Sequence, residues 1–124
     1  MRILVIKLEH LPDPGLSPNR LRSLHWRQRS DLMRNAREEV GWLAKTEWKD
    51  QKPMVRARIS YEFLIKDRRK RDADNLLAAC KPFTDGLIDA SVIFYDDIAH
   101  LEYGLIRAVY ADKDQTIITI EELP

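Results

Sequence analysis

Two acidic residues directly follow a run of cations in "RRKRDADN", residues 68–75. Asp72 and Asp74 are two positions apart, so in an extended chain their carboxylates would lie on the same side. A second acidic pair, Asp96 and Asp97, lies further along the chain, before a strand-like segment. Mg²⁺ prefers oxygen ligands, usually a few carboxylates completed by water and substrate phosphate. The two segments therefore form a candidate metal site, to which one of Asp96 and Asp97 contributes.

The same residues also have an ordinary structural interpretation. Asp and Asn commonly cap the start of a helix, where they complement its dipole. The pair Asp96–Asp97 would suit a plain turn, and a basic run is often a solvated loop. The pattern alone leaves the metal site and the structural roles both open.

Charge is strongly segregated along the chain, although the net charge is only +1. Residues 1–71 contain 18 Lys and Arg against 9 Asp and Glu, whereas residues 72–124 contain 3 against 11. A segregated basic half is typical of nucleic-acid binding, unless the two halves pair in the fold and cancel. The candidate phosphate contacts are Arg20, Arg22, His25, Arg27, Arg68, Arg69, Lys70 and Arg71. Trp26, within this basic segment, would either stack on an unpaired base or pack into the protein.

Length and composition predict one domain covering residues 1–124. No apolar run approaches the length of a membrane span, and the first residues resemble a strand more than a signal peptide. The single cysteine, Cys80, excludes an internal disulfide, which favours a reducing, cytoplasmic setting. Cys80 falls on the apolar stripe of a predicted helix, so we expect it in the core. Trp42 and Trp48 are expected in the core or at a dimer contact.

Periodicity predicts the elements that must position these residues. Residues 2–8 form a strand, and residues 9–20, with three prolines, form a loop. A helix follows within 23–49, capped by Ser23 or Ser30. Its predicted apolar face is Leu32, Ala36, Val40 and Leu43.

The second half of the chain alternates in the same way. Residues 55–65 show the clearest strand alternation, and a second helix begins near 72–75. Pro82 predicts a kink or an early stop of that helix near Lys81. Strands over 100–110 and 115–121, joined at 111–114, suggest a hairpin. The predicted fold is a single α+β domain, a mixed β-sheet with two main helices packed on it, in the order β-α-β-α-β-β.

"RRKRDADNL" followed by "LIDASVIFYDD" resembles the RusA family of Holliday junction resolvases. "SPNRLRSLHWR", residues 17–27, is similar to the family's Pro-x-Asn-x-Arg stretch. The resemblance extends from residue 17 to about residue 101, and it is most specific over 67–97. It implies a homodimeric, Mg²⁺-dependent endonuclease, with Mn²⁺ as a substitute, that cuts four-way DNA junctions symmetrically in recombination and repair.

The resemblance also assigns roles to individual residues. Asp72 and Asp74 match the family's Asp-x-Asp motif, and Asp97 matches the catalytic member of the later pair, with Asp96 beside it. The family's functional lysine commonly lies four positions after the second Asp, where this chain has Ala78. Lys81, two helical turns beyond Asp74, would take that role. The alternative for Lys81 is an ordinary lysine near a helix end.

The chemistry that follows is hydrolysis of a phosphodiester by a metal-activated water, with a cation near the scissile phosphate. Three other interpretations remain open at this point. The chain could bind nucleic acid without cutting it, or cut another substrate such as a DNA flap or RNA. It could also be a purely structural domain whose charges serve solubility.

Overall fold

The protein folds into four strands and four α-helices in the part of the chain that the computed structural model describes, residues 1–69 and 71–124, with the backbone alone for Asn19. In chain order the elements are β1 (Ile3–Leu8), α1 (Pro18–Ser23), α2 (Trp26–Trp48), β2 (Ala57–Ile65), α3 (Ala73–Ala78), α4 (Lys81–Asp89), β3 (Leu101–Tyr110) and β4 (Gln115–Glu122). A short 3₁₀ helix, Pro14–Leu16, precedes α1. The predicted α+β class is confirmed.

The four strands form one mixed sheet in the order β1-β4-β2-β3. β4 pairs antiparallel with both β1 and β2, whereas β3 pairs parallel with β2. The predicted hairpin between residues 100–110 and 115–121 is therefore wrong, because β2 lies between these two strands. The crossover through α3 and α4 brings β3 back parallel to β2, and β4 is left to pair on the other side of β2.

One face of the sheet carries the core. On β2 the residues with odd numbers, from Ala57 to Ile65, are buried, whereas those with even numbers are half-buried. Ile118 and Ile120 of β4 continue the buried face. Because side chains alternate along a strand, the other residues of each strand form a second face. The helices pack on the buried face, which makes the fold two-layered.

Helix α2 begins three residues later than the first predicted cap, Ser23. His25 occupies the cap position instead: its Nδ1 accepts from the backbone N–H of Arg27, and the side chain of Gln28 accepts from the backbone N–H of His25. Neither Ser23 nor Ser30 caps the helix. The buried stripe runs at a constant spacing of four through Ala36, Val40, Ala44 and Trp48.

The last step of the predicted stripe on α2 is incorrect. Leu43 is more than a third exposed, because Ala44 continues the spacing of four and Leu43 is turned away from it. Trp42 is 74% exposed and is not part of the core, whereas Trp48 is buried as predicted. None of the helices in the described residues combines the length and apolar composition needed to cross a bilayer.

The predicted second helix is two helices, α3 and α4, with a break at Ala79 and Cys80. Pro82 has no N–H to donate to the carbonyl of Ala78, and its ring would clash there in a continuous helix. Proline is tolerated in the first turn, and Pro82 lies in the first turn of α4. The predicted stop near Lys81 is confirmed.

The predicted loop over residues 9–20 was too long. The 3₁₀ helix lies within this range, and α1 begins within it and continues beyond it. Pro14 and Pro18 each stand at the start of a helical segment, where the fixed φ of proline is favourable. Prolines that normally predict a loop here begin short helices.

A β-bulge interrupts the pairing of β2 with β3. Ile59 lies opposite Tyr103 and Tyr61 lies opposite Ile106, so two residues of β3 oppose Ser60. Ser60 Oγ accepts a hydrogen bond from the backbone N–H of Leu105 at 3.1 Å. A Cβ at Gly104 would lie 2.5 Å from Ser60 Oγ, so any larger residue there would displace the side chains of Ser60 and Arg58.

Candidate functional site

The acidic motif of the sequence lies at the start of helix α3. Asp72 is the cap residue, and its carboxylate accepts from the backbone N–H of Asp74 at 3.1 Å. Asp74 lies in the first turn, where a negative charge complements the helix dipole. Both side chains, and that of Asn75, are exposed. Asp72 thus has a structural role, and the unused carboxylate oxygens remain open to solvent.

A cavity of about 230 Å³ joins this motif to the basic N-terminal segment. Ser17 and Arg20 line it from the start of α1, and Arg71, Asp72 and Asn75 line it from the start of α3. The two segments are about fifty positions apart in the sequence. The fold therefore brings two cationic side chains, the first acid of the motif and the carboxylate of Asp13 to one cavity.

Arg71 is the most enclosed of the described cations predicted to contact DNA. Its Nε is buried and has no hydrogen-bond partner among the described residues. Arg71 also lines a neighbouring cavity of about 710 Å³, together with Arg69. A buried, unpaired donor is costly unless a ligand or water completes it. An arginine fork suits a phosphate oxygen in this position.

The other predicted DNA contacts are distributed over two exposed regions. Arg22, His25 and Arg27 surround the junction of α1 and α2, where His25 also serves as the helix cap. Arg27 lies over the ring of Trp26 at 5.2 Å, and Trp26 is 58% exposed, so it does not pack into the core.

In the loop after β2, two arginines have partners within the chain. Arg68 lies 4.9 Å from the centre of the Tyr110 ring, and Arg69 forms an ion pair with Asp67. Part of the basic run is therefore neutralised locally. Lys70, also a predicted contact, lies outside the described residues.

Lys81 connects the start of α4 to the turn that precedes β3. Its ammonium lies 2.6 Å from Oδ2 of Asp96 and 2.9 Å from Oδ1 of Asp85. The hydrogen bond to Asp96 is the main reason why the pKa of Lys81 is raised, and Asp85 adds to it. Asp85 was not predicted as a site residue. Its spacing of four from Lys81, the usual spacing of helical ion pairs, is the signal that would have indicated it.

Asp97 points to a different partner. Its Oδ1 lies 2.5 Å from Nδ1 of His100 and 3.0 Å from the backbone N of Ala99. The hydrogen bond with His100 lowers the pKa of Asp97. The His100 ring lies 5.7 Å from the ring of Phe94 and 5.4 Å from that of Tyr95. No motif in the sequence indicated a role for His100.

The acids predicted to bind metal lie in two segments, and those of the second segment have partners within the chain. In the residues that the structure describes, no three side chains of His, Cys, Asp or Glu come together as a metal-binding group. Asp96 is paired with Lys81, and Asp97 with His100. The donor type of Asp72 and Asp74 still fits Mg²⁺, which typically takes one or two carboxylates together with water and phosphate. The site formed by Asp72, Asp74 and one of Asp96 and Asp97 stays a prediction.

Cys80 is buried, as predicted for a core residue. Its thiol donates to the carbonyl of Leu76 at 3.3 Å, and burial raises its pKa, which makes the reactive thiolate scarce. The thiol therefore takes no part in the chemistry of the candidate site.

No family model matches the chain. A protein of Xylella fastidiosa (strain Temecula1 / ATCC 700964), described only as an uncharacterized protein, is 33% identical over 112 residues. The matched part covers 88% of this chain and 71% of that protein. The chain therefore belongs to the same family as this Xylella protein.

Proposed function

We propose that the protein is a Mg²⁺-dependent endonuclease, similar to the RusA resolvases, that hydrolyses phosphodiesters of four-way DNA junctions. The observation that carries the proposal is the cavity shared by Arg20, Arg71, Asp72 and Asn75. This cavity, lined by Arg20 and Arg71 and also by Asp13 and Asp72, can offer cations to a phosphodiester and place it next to carboxylates. Phosphate contacts of this kind follow the shape of the DNA more than its sequence, which suits a branched substrate.

Asp72 and Asp74 would hold the metal ion. When bound, the ion supplies polarisation of the phosphate and an acidified water. Arg20 and Arg71 bind and orient the substrate by neutralising phosphate oxygens. Asn75 lines the same cavity, and its side-chain amide can donate a hydrogen bond to the phosphate.

Lys81 supplies the positive charge that the family's lysine would supply from position 78. Its ammonium is fixed by Asp85 and Asp96, so it is oriented before substrate binds. To stabilise the negative charge that develops on the phosphate in the transition state, this ammonium would exchange one of the two carboxylates for a phosphate oxygen.

Symmetric cutting of a junction requires two matched sites, so the proposal includes a homodimer. It also includes a cytoplasmic location, because the chain has a single cysteine and that cysteine is buried.

A second candidate is a module that binds branched nucleic acid without cutting it. It is favoured by the ion pairs of Asp96 with Lys81 and of Asp97 with His100, which engage the carboxylates of the second acidic segment. A nuclease that acts on a DNA flap or on RNA would share the same phosphate cavity, and it differs from the first proposal only in its substrate.

One substitution separates these functions. Asp72→Asn removes a charge but keeps a good helix cap, so the fold should be retained. The control is Asp112→Asn, in the loop between β3 and β4. Each protein is incubated with a four-way junction, linear duplex, flap DNA and RNA, with Mg²⁺, Mn²⁺ or a chelator.

We expect the wild type and the control to cut the junction with either metal, and Asp72→Asn to bind it without cutting. Binding without cleavage by the wild type under any metal would favour the non-cleaving module. Equal cleavage of flap or RNA would favour the other nuclease. Cleavage by Asp72→Asn at the wild-type rate would remove Asp72 from the site.

A further inference from the structure

The face of the sheet opposite the helices is open. On this face Ile3 is 60% exposed, Val5 is 45% exposed and Leu105 is 59% exposed. No helix among the described residues covers these side chains. A sheet face that mixes exposed apolar and charged residues in regular rows suits contact with another sheet.

The pairing registers place the residues of this face in three cross-strand rows. The middle row is Val5, Thr119 and Ser60, which are small or medium in size. One outer row contains Ile3, Glu121, Arg58 and Glu102. The other contains Lys7, Ile117, Glu62 and Arg107.

The two outer rows have opposite net charge. The row of Arg58 has two carboxylates and one guanidinium, whereas the row of Glu62 has one carboxylate and two cations. The β-bulge is essential to this pattern, because Glu102 and Arg107 are an odd number of positions apart. In a regular strand they would lie on opposite faces, and the extra residue at the bulge returns both to the open face.

We propose that a second copy of this chain docks face to face on the open face of the sheet. The proposed two-fold axis lies along the middle row, perpendicular to the strands. Each strand then lies over the same strand of the second copy, running in the opposite direction. Facing sheets pack about 10 Å apart, within reach of long charged side chains.

This orientation makes the charges complementary. Arg58 faces Glu62 of the second copy, and Glu102 faces Arg107 of the second copy. Symmetry produces each contact twice. The middle rows, with their smaller side chains, allow the closest approach. An axis parallel to the strands is less favourable, because it would place Lys7 over Arg107 of the second copy.

The proposed surface specifies how the homodimer of the proposed function forms, and it rests on the homodimer alone. It does not depend on cleavage, so its test measures mass. Within each copy, Arg58 lies 3.7 Å from Glu102, and Arg107 lies 3.3 Å from Glu62. These internal pairs allow one row to be inverted without loss of the pairing inside the chain.

The double variant Arg58→Glu/Glu102→Arg inverts one row. The internal pair is kept with its sign reversed, but positions 58 and 102 now face like charges on the second copy. The fourfold variant Arg58→Glu/Glu62→Arg/Glu102→Arg/Arg107→Glu inverts both rows and restores every facing pair. Both variants carry glutamate at position 58, beside Glu121, so any repulsion between these two neighbours is the same in both.

Sedimentation equilibrium over a range of concentrations measures the dissociation constant. We expect the wild type and the fourfold variant to dimerise, and the double variant to dissociate at least about tenfold more readily, because attraction at each facing pair becomes repulsion. The fourfold variant should also fail to pair with the wild type.

Two results would overturn the proposal. A wild type that stays monomeric at every concentration removes both the surface and the homodimer, while the cleavage assay still tests the nuclease. A dimer whose stability is the same in all three proteins places the contact elsewhere, and the homodimer of the proposed function then stands without this surface.

Discussion

The ammonium of Lys81 lies 2.6 Å from the carboxylate of Asp96, and it also contacts Asp85. The contact connects the first residue of α4 to the turn before β3. Lys81 and Asp96, two predicted site residues fifteen positions apart, are therefore neighbours in the fold, and the cation lies between two acids.

Lys81→Gln tests whether this cation serves catalysis or only the helix. The ion pairs are substantially exposed, so we expect a loss of less than about 1 kcal/mol in the free energy of unfolding. If Lys81 stabilises the transition state, the cleavage rate should fall by about 10²-fold or more. Lys45→Gln is the control, because the side chain of Lys45 is exposed on α2. Junction cleavage at an unchanged rate would return Lys81 to the role of a helix-end lysine.

Arg20→Gln and Arg71→Gln test the phosphate cavity. Each substitution should weaken junction binding and reduce the slope of log K against log salt by about 0.9, because one fewer counterion is released. Arg34→Gln is the control, since Arg34 pairs with Asp31 on α2. Fluorescence anisotropy with a labelled junction measures both quantities. Slopes that stay at the wild-type value would exclude this cavity from the DNA contact.

Gly86→Ala tests the packing of α4 on α2. A Cβ at Gly86 would lie 2.5 Å from the carbonyl oxygen of Arg37, so the helices must move apart. We expect a loss of about 1–3 kcal/mol in the free energy of unfolding, measured in urea. Gly41→Ala is the matched control, because its Cβ would come no closer than 3.4 Å to any neighbouring atom and alanine favours a helix. Equal stability of the two variants would contradict the close approach at Gly86.

Asp89→Asn tests the ion pair between α4 and α2. The guanidinium of Arg37 donates to both Asp89 oxygens, one of them at 2.7 Å, and this hydrogen bonding lowers the pKa of Asp89. A carboxyl with a lowered folded pKa stabilises the fold above its unfolded pKa of about 3.9, and the effect is lost as the pH falls through the folded value.

At neutral pH the free energy of unfolding of the wild type should therefore exceed that of Asp89→Asn by about 0.5 kcal/mol. The effect is small because the side chains of Arg37 and Asp89 are both about half exposed. The difference should disappear in acid. Urea unfolding at several pH values measures it. Asp112→Asn provides the control. A difference in the free energy of unfolding that grows as the pH falls would contradict a lowered pKa of Asp89 in the folded protein.

Periodicity predicted most of the fold, and the misses have physical causes. The alternation of β2 and the constant spacing on α2 are local patterns, so they could be read directly. The partner of β4 depends on where the crossover places β3, which is a long-range choice that a turn at 111–114 does not encode. The short helix α1 was missed because Pro18 indicates a loop as readily as a helix start.

The candidate site could be predicted in composition but not in geometry. The sequence identified Asp72, Asp74 and Lys81 through motif and spacing. It did not indicate that Asp97 faces His100, because two side chains three positions apart across a turn can either contact each other or point apart. The meeting of Arg20 with Arg71 depends on the path of two distant segments, and local patterns contain no information on it.

The parallel pairing of β2 and β3 has a consequence for how the protein assembles. Parallel neighbours cannot be joined by a tight turn, so the chain from residue 66 to residue 100 must cross from the end of β2 back to the start of β3. Every acid of the candidate site lies in that segment. Non-local pairing of this kind is slow to form. The edge strand β3 and the acidic groups therefore depend on the same crossover connection, and a chain in which this connection fails to form would lack both.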